Sequence, residues 1–520
     1  MNNGQLFAGP GHMLAFWSGS LMVASGVALH APMFLMGRHT GWRLAGMPMG
    51  AAMLIGMGVI ILGGAAAAYG LLPRRPAQDA RHGSILPPED APLTKAHVIQ
   101  IAVLAIALVI DIMKASSLGF VIPGMRVEYG LNAAQVAILP VFALLGTTIG
   151  SFIWGALADI YGRRASILLA AVFFIGTSIC GAMPSFAWNV FMCIMMGLAA
   201  GGMLPVANAL LAEIMPTRHR GWCLVLIGGI GTIGGYFATS ASSALLQPYF
   251  GWRIMWLIGF PTGLMLIALS PLLPESARFL LAMGRLDEAR QILARYGGTI
   301  DAASQPTPGR RAESKPLLGV TLALTLAALA WGFANFGVLL WLPSALVAEG
   351  RSVGLTSAVI ARSSLIAIPT IAAVTYLYSL WSTKRVLILA IAVTTLGLIA
   401  TLLRNNGAFS LLSNPLISVS LLVVGTSAVI SIIMPYAAES FPVRLRGRAT
   451  GWIAGCSKVG GVMAQSLAVF SLVPAFGLAA GAVALPTVAS LILIAAFGHE
   501  TRGRDLRELE SEVKGSAAAS

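Results

Sequence analysis

The sequence predicts an all-α polytopic membrane protein, and three observations carry that expectation. Hydrophobic residues make up 57% of the 520-residue chain and charged residues 10%, with a mean hydropathy of +0.84, whereas soluble domains carry about 25% charged residues. Apolar stretches of the roughly 20 residues that a helical bilayer crossing needs recur along the whole chain, bounded by glycine, proline or charge. The alternation of apolar and polar residues that marks an outer-membrane barrel is absent.

Taken in order, two such stretches come early, at about 13–36 and 45–72. Twelve follow, numbered here as core helices one to twelve, at about 97–121, 134–158, 166–186, 189–213, 221–246, 252–273, 316–347, 355–380, 385–403, 413–438, 447–472 and 476–498. Together they make fourteen expected crossings. The first twelve residues contain no Lys or Arg, so the opening stretch reads as a retained helix rather than a cleaved signal peptide. The expected division is an accessory hairpin at 1–72, a cytoplasmic linker at 73–96, a six-helix bundle at 97–273, a linker with short amphipathic helices at 274–315, a second six-helix bundle at 316–498 and a cytoplasmic tail at 499–520.

The net charge of +14 raises the question of a nucleic-acid partner, but the basic residues are distributed by loop. With the turn after core helix two placed inside, 24 of the 33 Lys and Arg are cytoplasmic, 6 are outside and 3 lie within helices. This is a positive-inside pattern. It places both termini in the cytoplasm, makes the lipid bilayer the partner of the basic surface and suits a bacterial inner membrane. Arg38 and Arg43, in the loop of the early hairpin, are the exception and face outward. Cys180, Cys193, Cys223 and Cys456 stand singly, a pattern that predicts neither a disulfide framework nor a zinc site.

The chain also repeats itself. "AEIMPTRHRGW" from Ala212 and "AESFPVRLRGR" from Ala438 share A-E-x-x-P-x-R-x-R-G at an offset of 226 residues, and "GTIGG" from Gly231 matches "SKVGG" from Ser457 at the same offset. Each copy falls where an even-numbered core helix, four or ten, reaches the cytoplasm, so the unit of duplication is six helices. In the first half, "GALADIYGRR" sets Gly155, Asp159, Gly162, Arg163 and Arg164 on the turn between core helices two and three. Small residues there are expected to allow close helix approach, while the acid and arginines form and break ion pairs at the surface.

On these motifs the chain resembles a transporter of the major facilitator superfamily over about residues 97–510. "PESARFLLAMGRLDEARQIL" after core helix six and "HETRGRDLREL" after core helix twelve are similar to motifs of its sugar-porter and metabolite–proton symporter branches. In core helix seven "WGFANFGVLLWLPSAL" replaces the Gln-Gln-Leu-Ser run of sugar porters and is more similar to the organic-acid and aromatic-acid proton symporters. The basic residue that many members carry in core helix four is Cys193 here, and the second-half copy of the loop motif is degraded to Thr383-Lys384-Arg385. The resemblance implies two bundles that alternate access to a small-molecule substrate, with no catalytic residues and no cofactor beyond protons as coupling ion. It further implies that Asp159, Arg163, Arg164, Glu213, Arg218 and Arg220, with Glu439, Arg444 and Arg446, form a cytoplasmic gate favouring the outward-open state when locked. Positive-inside anchoring accounts for some of these arginines but not for the repeated Glu and Pro.

Charges within helices are expensive and mark function. Asp111 is the one acid placed at mid-membrane depth, and Lys114 follows one turn along the same face of core helix one. Lys458 stands in core helix eleven where Thr232 stands in the first half, and Arg362 lies two turns into core helix eight. Asp111 either couples proton movement to an anion held by Lys114 and Lys458, or merely neutralises Lys114. Arg362 either lines the cavity or snorkels. Trp331, Asn335 and Tyr436 are candidate cavity neighbours, with packing or capping as the competing reading.

The leading function is proton-coupled symport of an organic anion; a sugar or neutral-metabolite porter and a drug–proton antiporter are the alternatives, followed by a metal transporter or a nontransporting sensor. The metal reading rests on the hairpin, where 9 of the 22 methionines and 3 of the 7 histidines fall in the first 57 residues in a pattern that suits Cu(I) chemically but repeats no ligand spacing. Packing or assembly is the default role of the hairpin, in an otherwise monomeric chain.

Overall fold

The computed structural model describes residues 6–72, 84–86, 92–301, 318–404, 414–441 and 443–501. Thirteen helical spans among them are long and apolar enough to cross a membrane, from Pro10–Thr40 and Ala51–Gly70 to Phe476–Phe497. The fourteenth expected crossing is a helix too, Val443–Val469. Its apolar stretch is interrupted by Lys458, Gln465 and several Gly and Ser residues, and it is not among the spans marked by length and composition.

The chain divides into two compact units, Met1–Arg220 with Ala241–Pro306, and Gly221–Ser240 with Thr307–Ser520. The expected boundary at 274–315 did not anticipate that the middle of core helix five, Thr217–Phe250, groups with the second unit. Its small residues explain this: Gly228 and Gly229 lie directly against Ser431 and Ile371, and Tyr236 donates a hydrogen bond to Asn335 Oδ1 at 2.8 Å.

In the first unit, core helix one runs over Lys95–Tyr129, begun by Thr94 and His97 in a reciprocal cap and ended by Gly130. Core helix three, Arg163–Ala182, is apolar all round and enclosed on nearly every side, as that pattern requires. The early hairpin lies against it, with Ile60 and Val23 packed on Gly176. The two hairpin helices themselves meet backbone to backbone through glycines spaced by seven, Gly19 and Gly26 on one, Gly56, Gly63 and Gly70 on the other. Seven residues are nearly two turns, so all five stay on the facing surfaces. A Cβ on Gly19 would meet the Gly63 carbonyl oxygen at 2.5 Å.

The loop of the hairpin is fastened to the end of core helix one. The backbone N–H groups of Leu44 and Ala45 donate to Glu128 Oε1 at 2.7 and 2.9 Å, Leu44 is fully buried, and Trp42 stacks on Phe34 with its edge on Phe250. Trp42 holds φ at 65°, a conformation a bulky residue keeps only where its surroundings fix it. Arg38 and Arg43, the expected exceptions to the charge pattern, are exposed on this loop.

Two three-residue strands stand apart from the otherwise all-α fold. Ser84–Leu86 pairs antiparallel with Thr299–Asp301, joining the two linkers on one side of the membrane. Such an arrangement requires an even number of crossings between 87 and 298. The linker at 274–315 also contains the expected short helices, Ala277–Ala282 and Leu286–Tyr296. Residues 73–83, 87–91, 302–317 and 502–520 of the expected linkers and tail lie outside the described residues.

In the second unit, core helix seven is continuous but changes pitch, from Leu318–Gly332 through a π-helical segment, Phe333–Leu339, to Leu340–Ala348. Widened turns free backbone carbonyls and often mark functional positions. Here Gln465 donates to the Phe336 carbonyl, while Trp341 donates to Gln465 at 3.2 Å.

Candidate functional site

In the first unit, both ionisable groups of core helix one are withdrawn from solvent, Asp111 at 6% and Lys114 at 4% exposure. Lys114 Nζ donates to Thr177 Oγ1 at 3.3 Å and sits 5.9 Å from the centre of the Phe174 ring, both on core helix three. Gly259 of core helix six closes over the ammonium, leaving no room for a Cβ. The sequence placed Lys114 beside Asp111 but contained no sign of Thr177, which is 63 residues away.

In the second unit, Lys458 Nζ lies 5.0 Å from the centre of the Phe336 ring, within the π-helical segment of core helix seven. Asn335 occupies the same segment and accepts from Tyr236. Trp331, one turn earlier, donates to the Thr426 carbonyl at 2.7 Å and packs edge-on to Phe336. Lys458, Asn335, Phe336 and Trp331 therefore form one neighbourhood within this unit. Tyr436 has another role: its hydroxyl donates to the His499 carbonyl at 2.6 Å, tying core helix ten to the end of core helix twelve. Arg362 is exposed.

The repeated motifs meet at helix ends in both units, through two acids, Glu275 and Glu500, that the sequence did not single out as gate residues. Glu275, of "PESARF", accepts from the backbone N–H groups of Arg163 at 2.7 Å, Arg164 at 3.3 Å and Ser276 at 2.9 Å, and so caps core helix three. Ser276 donates to Glu213, which also lies 3.4 Å from Arg163; Asp159 lies 3.4 Å from the other side of the same guanidinium. Burial holds the Glu275 carboxyl above its usual range, against the lowering effect of these N–H groups and of Arg164.

The second unit repeats the plan. Glu500 accepts from the Thr383 N–H at 2.9 Å and from the hydroxyls of Ser382 and Thr383; Thr501 donates to Glu439 at 2.7 Å, as does Tyr378 at 2.8 Å. The capping acid aligns Ser382-Thr383-Lys384 with Gly162-Arg163-Arg164, one residue earlier than the sequence comparison placed it. Ser379 then stands where Asp159 stands, and Lys384 donates to the Ala495 carbonyl at 2.8 Å.

The remaining gate candidates are less engaged. Arg218 is exposed and Arg220 half-buried. Arg444 and Arg446 begin core helix eleven, and their side chains lie outside the described residues. Gly155 needs correction: it is exposed, and a Cβ there would meet nothing within 4 Å among the described residues, so the close helix approach expected of it is not seen among them.

Gly162 is the glycine that this turn demands. Its φ is 92°, and a Cβ would meet Glu275 Oε2 at 2.5 Å. Gly162→Ala is expected to lower stability by about 1–3 kcal/mol, from backbone strain and a displaced cap, read as a fall in the thermal unfolding midpoint. Asp159→Asn should act differently, because its side chain is 77% exposed and such pairs contribute about 0–1 kcal/mol. It is expected to slow transport by about two- to fivefold with substrate affinity unchanged; equal losses in both would remove Asp159 from the latch.

Buried charges inside membrane spans, together with a duplicated set of hydrogen-bonded helix ends, are the construction of a solute transporter. The chain belongs to the Major Facilitator Superfamily, whose sequence profile matches residues 104–465. It is 26% identical to the niacin transporter NiaP of Acinetobacter baylyi over 440 residues, 81% of this chain and 98% of that protein. It is 29% identical to a gallate transporter of Pseudomonas putida over 459 residues, 79% of this chain and 97% of that one. Among solved structures it is similar in fold to the proton:xylose symporter XylE of E. coli bound to 6-bromo-6-deoxy-D-glucose, with a TM-score of 0.64 at 17% identity over 80% of this chain and 98% of that one.

Proposed function

We propose that this transporter carries a small organic anion, an aromatic carboxylate, in symport with protons, from a bacterial inner membrane in which both termini are cytoplasmic. The observation that carries the reading is the buried ammonium of Lys114 with the buried carboxyl of Asp111 one turn away. A cation sealed in a membrane span suits an anionic cargo, and a nearby acid that gains or loses a proton supplies the coupling. Within the second unit, Lys458 over the Phe336 ring, with Trp331 and Asn335, offers a cation and an aromatic surface of its own that also suit a ring-bearing anion. Niacin and gallate, named for two relatives, are both aromatic carboxylates. Glu213 and Glu275 with the Arg163 turn in the first unit, and Glu439 and Glu500 in the second, are in this reading the contacts that form and break as access alternates.

Uptake by proteoliposomes under an imposed inward proton gradient tests this reading. Benzoate, hydroxybenzoates and nicotinate are offered beside neutral sugars and organic cations. At least one aromatic carboxylate is expected to accumulate, and Lys114→Gln to weaken its apparent affinity by about 10- to 100-fold, the worth of one charge-assisted hydrogen bond. Transport of a sugar or a cation with no response to any carboxylate would overturn the assignment.

A further inference from the structure

We propose that the first unit holds a binding site for a phosphate-bearing anion where the early hairpin, the turn between core helices two and three, and the linker helix Leu286–Tyr296 meet. The site is a cavity of about 170 Å³. Four membrane spans end on it: Leu71 follows Ala51–Gly70, Tyr161 closes Ala133–Tyr161, Arg164 opens Arg163–Ala182 and Leu272 closes Ile254–Leu272. Spans end where hydrocarbon gives way to headgroups, so the cavity lies at headgroup depth. The linker helix completes the wall. It buries Ala289, Leu293 and Tyr296 in the protein and brings Arg295 and Glu288, with Arg285 at its start, to the cavity.

The charge of the lining favours an anion. Arg164, Arg285 and Arg295 face Glu275 and Glu288, three positive against two negative charges, or +1. Both acids are already engaged, Glu275 by three backbone N–H groups and Glu288 by Arg285, whose Nε and Nη2 lie 2.8 and 2.5 Å from its two oxygens. No ion pair within 4 Å among the described residues includes Arg164 or Arg295. Arg164 Nε is moreover buried without a hydrogen-bond acceptor, and an N–H in that state favours an oxyanion. Guanidinium groups match the oxygens of a phosphate two at a time, which an ammonium does not. The remaining lining, with Leu71, Leu272, Phe279 and Ile292, is apolar apart from Tyr161 and Tyr296.

A phosphate ester oxyanion satisfies both the cations and the depth. It is presented either by an anionic phospholipid of the adjoining leaflet or by a soluble phosphate. Once bound, it links the linker helix to the turn that carries Arg163 and Arg164, so the latch acquires a dependence on the occupant of the cavity.

Native mass spectrometry and thermal unfolding of the full-length protein distinguish the sources. The probes are phosphatidylglycerol, phosphatidylcholine with the same acyl chains, and inorganic phosphate. Arg295→Gln is the informative variant, because the residue is exposed and its loss leaves the fold intact; Arg351→Gln, exposed in the other unit, is the control. Phosphatidylglycerol is expected to be retained about fivefold or more over phosphatidylcholine, with most of that preference lost in Arg295→Gln and kept in Arg351→Gln. No lipid preference, but a rise in unfolding midpoint with millimolar phosphate that Arg295→Gln abolishes, would assign the site to a soluble phosphate. Equal retention of the two lipids with no effect of phosphate, or a preference indifferent to Arg295→Gln, would overturn the proposal.

Discussion

Asp111→Asn is expected to abolish proton-driven accumulation of substrate while preserving exchange of labelled for unlabelled substrate across the membrane. Asparagine keeps the size and polarity of the side chain but carries no titratable proton, so it separates binding and movement from coupling. The structure makes this separation workable. Lys114 retains a hydrogen bond to Thr177 Oγ1 at 3.3 Å, so the substitution does not leave the ammonium without a polar partner. Removing a buried charge can destabilise a bundle, and monodisperse protein with an unchanged unfolding midpoint is therefore the first measurement. Accumulation should then fall to the level seen with no imposed gradient. Continued concentration of substrate by well-folded Asp111→Asn protein under a proton gradient would exclude Asp111 as the coupling group.

Glu128→Gln is the second large effect, and it concerns stability. Arg253 is fully buried; its Nη2 lies 2.6 Å from Glu128 Oε1 and 2.9 Å from the Tyr129 hydroxyl, and Nη1 donates to the Met183 carbonyl at 2.7 Å. Trp252 stacks beneath the guanidinium at 4.5 Å and donates to Glu128 Oε2 at 2.8 Å. Neutralising Glu128 leaves a buried cation uncompensated, a change that costs about 3–5 kcal/mol. The same carboxylate receives the N–H groups of Leu44 and Ala45, so amide exchange should also rise across residues 37–46 of the hairpin loop. Glu349→Gln is the internal comparison, because Glu349 pairs with Arg404 where core helices seven and nine end but is itself 36% exposed. It should lower the unfolding midpoint much less than Glu128→Gln. Equal shifts would mean that burial does not set the worth of these pairs.

Two of the three hairpin histidines that suggested copper are engaged in helix packing through Nδ1. His12 Nδ1 lies 3.1 Å from the Tyr69 carbonyl oxygen with its ring stacked on Tyr69, and His30 Nδ1 lies 2.8 Å from the Gly26 carbonyl oxygen. No group of three or more His, Cys, Asp or Glu suited to a metal ion occurs among the described residues. The glycines spaced by seven were the legible signal in this segment, and the methionines drew attention away from them.

The sequence by itself determined the class of this protein, the order of its crossings and the duplication of its halves. Those properties are local or periodic: twenty apolar residues specify a crossing wherever they stand, and an offset of 226 residues is visible without a fold. It also located Asp111, Lys114 and Lys458, because a charge inside an apolar run stands out against its neighbours. Partners were a different matter. Glu128 and Glu275 read as ordinary acids at the edges of apolar runs, and such an acid is either solvated or sealed according to what the chain returns to it. Arg253 returns 125 residues after Glu128, and Glu275 caps a helix that began 112 residues earlier. Burial and hydrogen bonding at such separations depend on how helices pack, so only the tertiary structure decided that one acid anchors the hairpin, that the other caps core helix three, and that Lys114 rests on Thr177.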